Sequence, residues 1–115
     1  MVSYQWGIFW ANLDPSKGSE QAGLRPVLVI SAEEVNQVLP VVTVVSLTSL
    51  KVGRRIYATE VLLQDFETGL AKLSIAMAHQ IRAISKDRLV EKCGCIESED
   101  IKEKIKNAVK IYLDL

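Results

Sequence analysis

The chain has 115 residues, of which 49% are hydrophobic and 24% are charged, and its formal net charge is zero. This length fits one domain, and the composition is that of an ordinary globular protein. The balanced charge counts mildly against a general nucleic-acid binder, although a local basic patch is still compatible with one. No apolar run approaches the roughly 20 residues of a membrane span, and residues 1–10 do not resemble a secretory signal. We therefore expect a cytoplasmic protein with no membrane segment.

Short apolar runs rich in β-branched residues predict several strands in the first half of the chain. A cluster of turn-forming residues, DPSKG, separates the first two of these runs. Residues 33–38 predict one short helical turn that Pro40 ends. The predicted strands cover residues 7–13, 25–31, 41–47 and 57–63.

The second half of the chain begins with a turn-rich connection at residues 64–71, after which residues 73–84 predict one or two strands broken near residue 79. Ser85 can cap a short helix that runs to residue 90, and Ser98 can cap the last helix, since a serine hydroxyl accepts from free amides of the first turn. The last helix has one apolar face that should pack on the sheet, because apolar residues recur there at three- and four-residue spacing. These residues are Ile101, Ile105, Ala108, Val109 and Tyr112.

This order of elements predicts an α+β fold. Five or six short strands, small connecting helices and a C-terminal amphipathic helix favour a small curled antiparallel sheet with the last helix packed against it.

Two cysteines, Cys93 and Cys95, are separated by a single glycine. A disulfide between them would be geometrically awkward, and without a secretion signal reduced thiols are the default. The pair could supply two metal ligands, but His79 is the only soft third candidate and nothing in the sequence places it nearby. We therefore expect no metal site, and we interpret this segment as a tight connection with two small apolar side chains.

A series of motifs, most specific in the first thirty residues, carries a resemblance to a known family. The motifs begin with Gly7, Trp10, LDP at 13–15, GSEQAG at 18–23 and RPVLVIS at 25–31. They continue with Asn36, Pro40, residues 42–46, LTS at 47–49, QIR at 80–82, Ile84 and KDRL at 86–89. In these residues the chain resembles the MazF/PemK family of toxins, and the resemblance treats residues 1–115 as a single toxin domain.

The resemblance implies an SH3-like antiparallel β-barrel that forms a homodimer and acts as the toxin of a type II toxin-antitoxin system. Toxins of this family cleave single-stranded RNA at short preferred sequences without a metal or another cofactor. The products carry a 2′,3′-cyclic phosphate and a 5′-hydroxyl. A cognate antitoxin wraps the dimer and blocks the RNA groove.

Two residues match the catalytic residues of the family. Arg25 matches its arginine, and a guanidinium suits charge stabilisation because it can hold two phosphate oxygens while staying protonated. Thr48 matches its threonine, whose hydroxyl can donate to the phosphate. Outside these motifs, the two would be interpreted as a surface arginine and an ordinary strand threonine.

The general base and acid that the reaction requires are left open by the sequence. Glu20 lies in the loop that resembles the mobile RNA-gating segment of the family, where it could act as the base or accept a hydrogen bond from a base or a ribose. His79 departs from the family, which often has an acidic residue there, and histidine titrates near neutral pH. The alternatives are a solvated loop carboxylate for Glu20 and a half-buried strand histidine for His79.

Polar and basic residues around these positions are candidates for binding RNA. The amide of Gln80 could read a base, and Arg82 could support the site or bind a phosphate. The basic loop after Thr48 could follow the RNA backbone, or it could be a solvated turn. The full set of RNA-binding predictions is Ser19, Glu20, Lys51, Arg54, Arg55, Gln80 and Arg82. The aromatic residues Trp6, Phe9 and Trp10 could stack on bases, but aromatic residues in a first strand are more often core.

Two other functions are compatible with such a barrel. The same fold serves toxins that poison DNA gyrase through protein contacts, and a small barrel could also bind a partner without any enzymatic activity. The presence of Arg25 and Thr48 within their motifs favours the ribonuclease, because a protein-binding toxin has no need of this pair.

Overall fold

Six strands form one antiparallel sheet in the computed structural model, which describes residues 2–115. The strands are β1 (Gly7–Asn12), β2 (Leu24–Val29), β3 (Val41–Ser49), β4 (Glu60–Leu63), β5 (Ser74–Ser85) and β6 (Leu89–Cys95). Their order across the sheet is β4-β5-β3-β2-β1-β6. The predicted α+β class and antiparallel sheet are therefore confirmed.

The sheet is not closed into the expected barrel. Within residues 2–115, its two edge strands β4 and β6 are not hydrogen-bonded to each other. A short helix, α2 (Asp65–Thr68), follows β4 and packs against β6. The gap between the two edges is thus spanned by a helical turn rather than by strand pairing.

The helices are few and mostly short. They are α1 (Glu33–Asn36), α2, a single 3₁₀ turn (Lys86–Arg88) and α3 (Glu99–Leu113). The hydroxyl of Ser98 accepts from the amide of Ile101 at 3.4 Å, which confirms the predicted cap of the last helix. Among residues 2–115, no helix has the length and apolar character that a membrane crossing requires.

Buried side chains lie on both faces of the sheet, as the alternation along β3 illustrates. Val45 and Leu47 point to the face covered by α3, which we call the helix face, and Val42 and Val44 point to the other, which we call the opposite face. Three of the five apolar residues predicted to pack on the sheet are buried on the helix face, and each of the two isoleucines among them stabilises the fold by about 1.5–3 kcal/mol. They are Ile101, Ile105 and Ala108. Val109 is half-buried, whereas Tyr112 is 47% exposed, so the predicted face ends before it.

Strand β5 corrects the predicted break near residue 79. It is continuous, but its pairing with β3 is irregular, since Val44 faces Arg82 while Ser46 faces Met77. Residues 78–81 therefore form a bulge in one strand rather than a gap between two.

Strand β6 was missed in the sequence, where its residues were assigned to a helix and a tight connection. The helix is only the 3₁₀ turn, although Ser85 caps it as predicted by accepting from the amide of Asp87 at 3.2 Å. Both cysteines are free thiols within β6. Gly94 between them lies so close to α2 that a Cβ would overlap the carbonyl oxygen of Thr68, which accounts for the glycine.

The first helix and the N-terminal segment are joined through one carboxylate, that of Glu33. The backbone amides of Tyr4 and Gln5 donate to it at 2.9–3.1 Å, and the side-chain amides of Asn36 and Gln37 donate at 3.3 and 2.9 Å. Burial is the largest single influence and raises the pKa of Glu33, but the hydrogen bonds together outweigh it and lower the pKa from 4.5 to about 2. The ionised carboxylate therefore stabilises the fold.

We predict that Glu33→Gln lowers the free energy of unfolding by about 2 kcal/mol at pH 7, after allowance for the partial exposure of the side chain. Because the folded-state pKa of Glu33 is lowered, its contribution is present above pH 4.5 and is lost as the pH falls toward about 2. Urea unfolding of both proteins across this range measures the difference. Glu34→Gln, on the exposed neighbour, is the control and should match the wild type. A difference that does not shrink with falling pH would contradict the assignment.

Candidate active site

Arg25 and Thr48 lie at the same end of two paired strands, β2 and β3. Val27 faces Ser46 in the last pair of this antiparallel ladder, and Arg25 and Thr48 each lie two residues beyond that pair on their own strands. Residues two or four apart in a strand point to the same face. Arg25 therefore shares the face of Val27, and Thr48 shares the face of Val44, and both of these valines lie on the opposite face. The two predicted catalytic residues thus share one end and one face of adjacent strands.

The guanidinium of Arg25 is available to a ligand. The residue is exposed, and its Nε donates to the carbonyl of Ala22 at 3.2 Å. No carboxylate among residues 2–115 forms an ion pair with it. The two terminal nitrogens are therefore free to hold an anion such as a phosphate.

The loop between β1 and β2, residues 13–23, is held at its base and at its tip. At the base, the amide of Gly23 donates to Oδ1 of Asp14 at 3.0 Å. At the tip, Oε1 of Glu20 accepts from the amide of Lys17 at 2.6 Å, so one oxygen of this predicted base is engaged within its own loop. The whole Glu20 residue is exposed, and its second oxygen faces solvent or a ligand.

Gln80 is joined to this loop across the sheet. It lies in the bulge of β5, and its Nε2 donates to the carbonyl of Ser19 at 3.1 Å. The bulge thus brings together two predicted RNA-binding residues that are far apart in sequence.

His79 lies on the β4 side of the same bulge. It is half-buried, and its Nδ1 is 3.2 Å from Oγ1 of Thr59. This bond occupies one ring nitrogen and leaves Nε2 as the nitrogen that can exchange a proton with a ligand. The hydrogen bonds within residues 2–115 join His79 to Thr59 rather than to Arg25, Thr48 or Glu20.

The three basic residues of the loop after Thr48 differ in their surroundings. Arg54 forms a bidentate ion pair with Glu60, with Nη1–Oε1 and Nη2–Oε2 distances of 2.9 and 2.7 Å. The guanidinium of Arg55 lies over the ring of Tyr57, 5.1 Å from its centre. Lys51 and Arg55 are exposed, so these two are the cations that the loop presents to solvent.

Two residues near the site were not singled out by the sequence. Ser46 lies between Val27 and Met77, and its buried hydroxyl has no hydrogen-bond partner within residues 2–115. The side chain of Glu60 is fully buried, and a lone carboxylate opening the apolar run EVLL was the one signal that could have indicated it. Arg82, which was predicted, is half-buried on β5 beside Val44.

Comparison with known families gives a match over nearly the whole chain. A family model described as "PemK-like, MazF-like toxin of type II toxin-antitoxin system" matches residues 4–113. The chain is 34% identical over 108 residues to the endoribonuclease MazF of Staphylococcus saprophyticus, which covers 94% of this chain and 88% of that protein. It is 32% identical over 115 residues to the endoribonuclease EndoA of Bacillus subtilis, with 100% and 97% covered.

Solved structures agree with this match. The Mycobacterium tuberculosis toxin MazF-mt6 is similar with a TM-score of 0.76 at 28% identity, and 95% of this chain and 97% of that chain are covered. MazF from Deinococcus radiodurans is similar with a TM-score of 0.81 at 25% identity, with 100% and 99% covered. The resemblance seen in the motifs is confirmed, and the chain belongs to the PemK-like, MazF-like family of toxins of type II toxin-antitoxin systems.

Proposed function

We propose that this chain is a toxin that acts as an endoribonuclease on single-stranded RNA. Two relatives that are 34% and 32% identical to it are named endoribonucleases, and each aligns over most of its length. The observation that carries the proposal for this chain is the shared position of Arg25 and Thr48. An arginine without a carboxylate partner and a strand-end hydroxyl, on one face of adjacent strands, are suited to hold a phosphate.

The proposed reaction is a transesterification that needs no metal or other cofactor. The 2′-oxygen of a ribose attacks the adjacent phosphorus while the bond from phosphorus to the 5′-oxygen breaks. A base takes the proton of the 2′-hydroxyl, and an acid gives one to the leaving oxygen. The products are a 2′,3′-cyclic phosphate and a 5′-hydroxyl.

Each role has a residue in this site. Arg25 binds the phosphate and stabilises the negative charge that develops on it, because its charge is fixed and its terminal nitrogens are free. Thr48 donates its hydroxyl to the same phosphate. Proton transfer is assigned to Glu20 in the loop or to His79 in the β5 bulge, each of which keeps one side-chain oxygen or nitrogen outside its hydrogen bond to the protein.

Substrate binding is assigned to residues around this pair. Ser19, Glu20 and Gln80 would read bases, since they lie together where the loop meets the bulge. Lys51, Arg55 and Arg82 would contact the backbone phosphates. Arg54 was also predicted to do so, but its guanidinium is committed to Glu60.

The partners and setting follow from the family. The description of the family as toxins of type II systems supports a cognate antitoxin that blocks the RNA groove. The resemblance to the family also supports the proposed homodimer. We also propose that residues 1–115 act as one toxin domain and that the protein works in the cytoplasm.

We predict that Arg25→Ala lowers kcat for a long single-stranded RNA by about 100- to 1,000-fold, because the developing charge loses its main partner. The reaction is run in EDTA and followed by gel. Lys104→Ala, which removes an exposed cation on α3, is the control and should cleave like the wild type. Cleavage of no tested RNA by the wild type would overturn the ribonuclease and leave a toxin that binds a protein.

We predict that Thr48→Val lowers kcat by roughly 10- to 100-fold, because the substitution keeps the shape and removes one hydrogen bond to a charged phosphate. Thr43→Val on the same strand is the matched control, since Thr43 lies on the other side of the strand and near its other end. Equal rates for the two variants would remove Thr48 from the mechanism.

We predict that His79→Gln changes the dependence of kcat/KM on pH, because the substitution removes a ring nitrogen that could transfer a proton in the reaction. His79 is the only histidine in the chain, so no other imidazole can replace it. Rates are measured on a short RNA across a range of pH in buffers of constant ionic strength. Superimposable profiles would assign proton transfer to Glu20 instead.

A further inference from the structure

The carboxylate of Glu60 is the most deeply buried charged group of the described residues near the site. Its side chain has no exposed surface, whereas that of its partner Arg54 is 27% exposed. It accepts two hydrogen bonds from Arg54 and a third from the amide of Tyr57 at 3.0 Å. Hydrogen bonding to Arg54 is the main reason why the pKa of Glu60 is lowered, so the buried group is an anion.

The loop after Thr48 is wrapped around this carboxylate. Nη1 of Arg54 donates also to the carbonyl of Arg55 at 2.8 Å, and the amide of Arg54 donates to the carbonyl of Lys51 at 3.1 Å. On the other side of the carboxylate, the amide of Glu60 donates to the carbonyl of Tyr57 at 2.9 Å. The side chains of Arg54 and Glu60 therefore contact the backbone of this loop at two points, the carbonyl of Arg55 and the amide of Tyr57, and two backbone hydrogen bonds add to this hold.

The remaining two cations of the loop, Lys51 and Arg55, take no part in the ion pair between Arg54 and Glu60. Lys51 is exposed near the end of β3, three residues after Thr48. Arg55 is exposed and rests on the ring of Tyr57, whose amide Glu60 binds. A side chain that is pre-placed in this way loses less entropy on binding than one on a mobile loop.

We propose that Glu60 is a positioning residue for RNA binding: through Arg54 it holds residues 51–57 in one conformation and so presents Lys51 and Arg55 to the RNA backbone. This inference rests on the proposed ribonuclease function for its RNA part only. Arg54 stabilises the conformation of the loop and does not itself bind an RNA phosphate. Because Lys51 and Arg55 touch backbone phosphates and not the reacting atoms, Glu60 governs binding more than chemistry.

The test is Glu60→Gln, which keeps the size of the side chain and removes its charge. We expect KM for single-stranded RNA to rise about tenfold, the effect of weakening binding by about 1.4 kcal/mol, while kcat changes less than about twofold. The plot of log(kcat/KM) against log salt should become less steep by about 0.7 for each RNA phosphate that the variant no longer neutralises. The slope of this plot, the salt slope, is the decisive measurement, because a lower stability of the folded protein alone would not change it.

A second measurement tests the conformation of the loop in the absence of RNA. Trypsin cuts after Lys51, Arg54 and Arg55, and cleavage requires a backbone that opens from its folded conformation. We expect these cuts to appear faster in Glu60→Gln than in the wild type. If the wild type cleaves no RNA, the proposed function fails, while the trypsin rates still test whether Glu60 holds the loop.

Two further variants serve as a control and as an alternative to Glu60→Gln. Glu103→Gln breaks an exposed ion pair with Lys106 on α3, whose N–O distance is 3.5 Å, and should leave KM, slope and trypsin rates unchanged. Arg54→Lys keeps the charge and removes the bidentate geometry, so it should shift all three in the same direction, and it replaces Glu60→Gln if that variant does not fold. An unchanged KM and salt slope in a folded variant would overturn the proposal. A lower KM in Glu60→Gln would overturn it as well, since it would mean that the released Arg54 binds phosphate itself.

Discussion

The register between β2 and β3 is the constraint on which the site depends. Side chains alternate between the faces of a strand, so a slip of one residue would move Arg25 to the face covered by α3 and separate it from Thr48. Val27 and Leu28 are both fully buried although they point in opposite directions, so a slip would exchange side chains of different size between two closely packed faces. The packing of the core therefore places the arginine and the threonine, and the site needs no bond between them.

The bulge of β5 extends the site beyond these two residues. A regular strand would keep residues 78–81 in the ladder with β3, where their backbone groups are bound. The bulge instead turns Gln80 toward the loop at Ser19 and places His79 beside Thr59. Bulges re-aim side chains in this way at the cost of local pairing, and here the result is a surface that joins two loops to one strand.

A net charge of zero is compatible with a basic binding surface because many of the charged side chains bind other parts of the fold. The carboxylate of Glu33 binds the N-terminal segment, and that of Glu60 binds Arg54. Arg88 donates to the carbonyls of Asn12 and Asp14 at the base of the loop. The cations left exposed around Thr48 are therefore not neutralised by the acidic residues that balance them in the total.

The sequence by itself determined the elements whose signals are local. The cap at Ser98 and the spacing of apolar residues in α3 depend on neighbours within a few positions, and the motifs around Arg25 and Thr48 identified the family. Tertiary structure decided the rest. β6 is an edge strand with polar residues on both sides and exists because it pairs with β1, eighty or so residues earlier in the chain. The open sheet depends likewise on α2 packing against that strand, and the role of Arg54 depends on the burial of Glu60. Such contacts are set by packing between distant segments, which no local pattern of residues records.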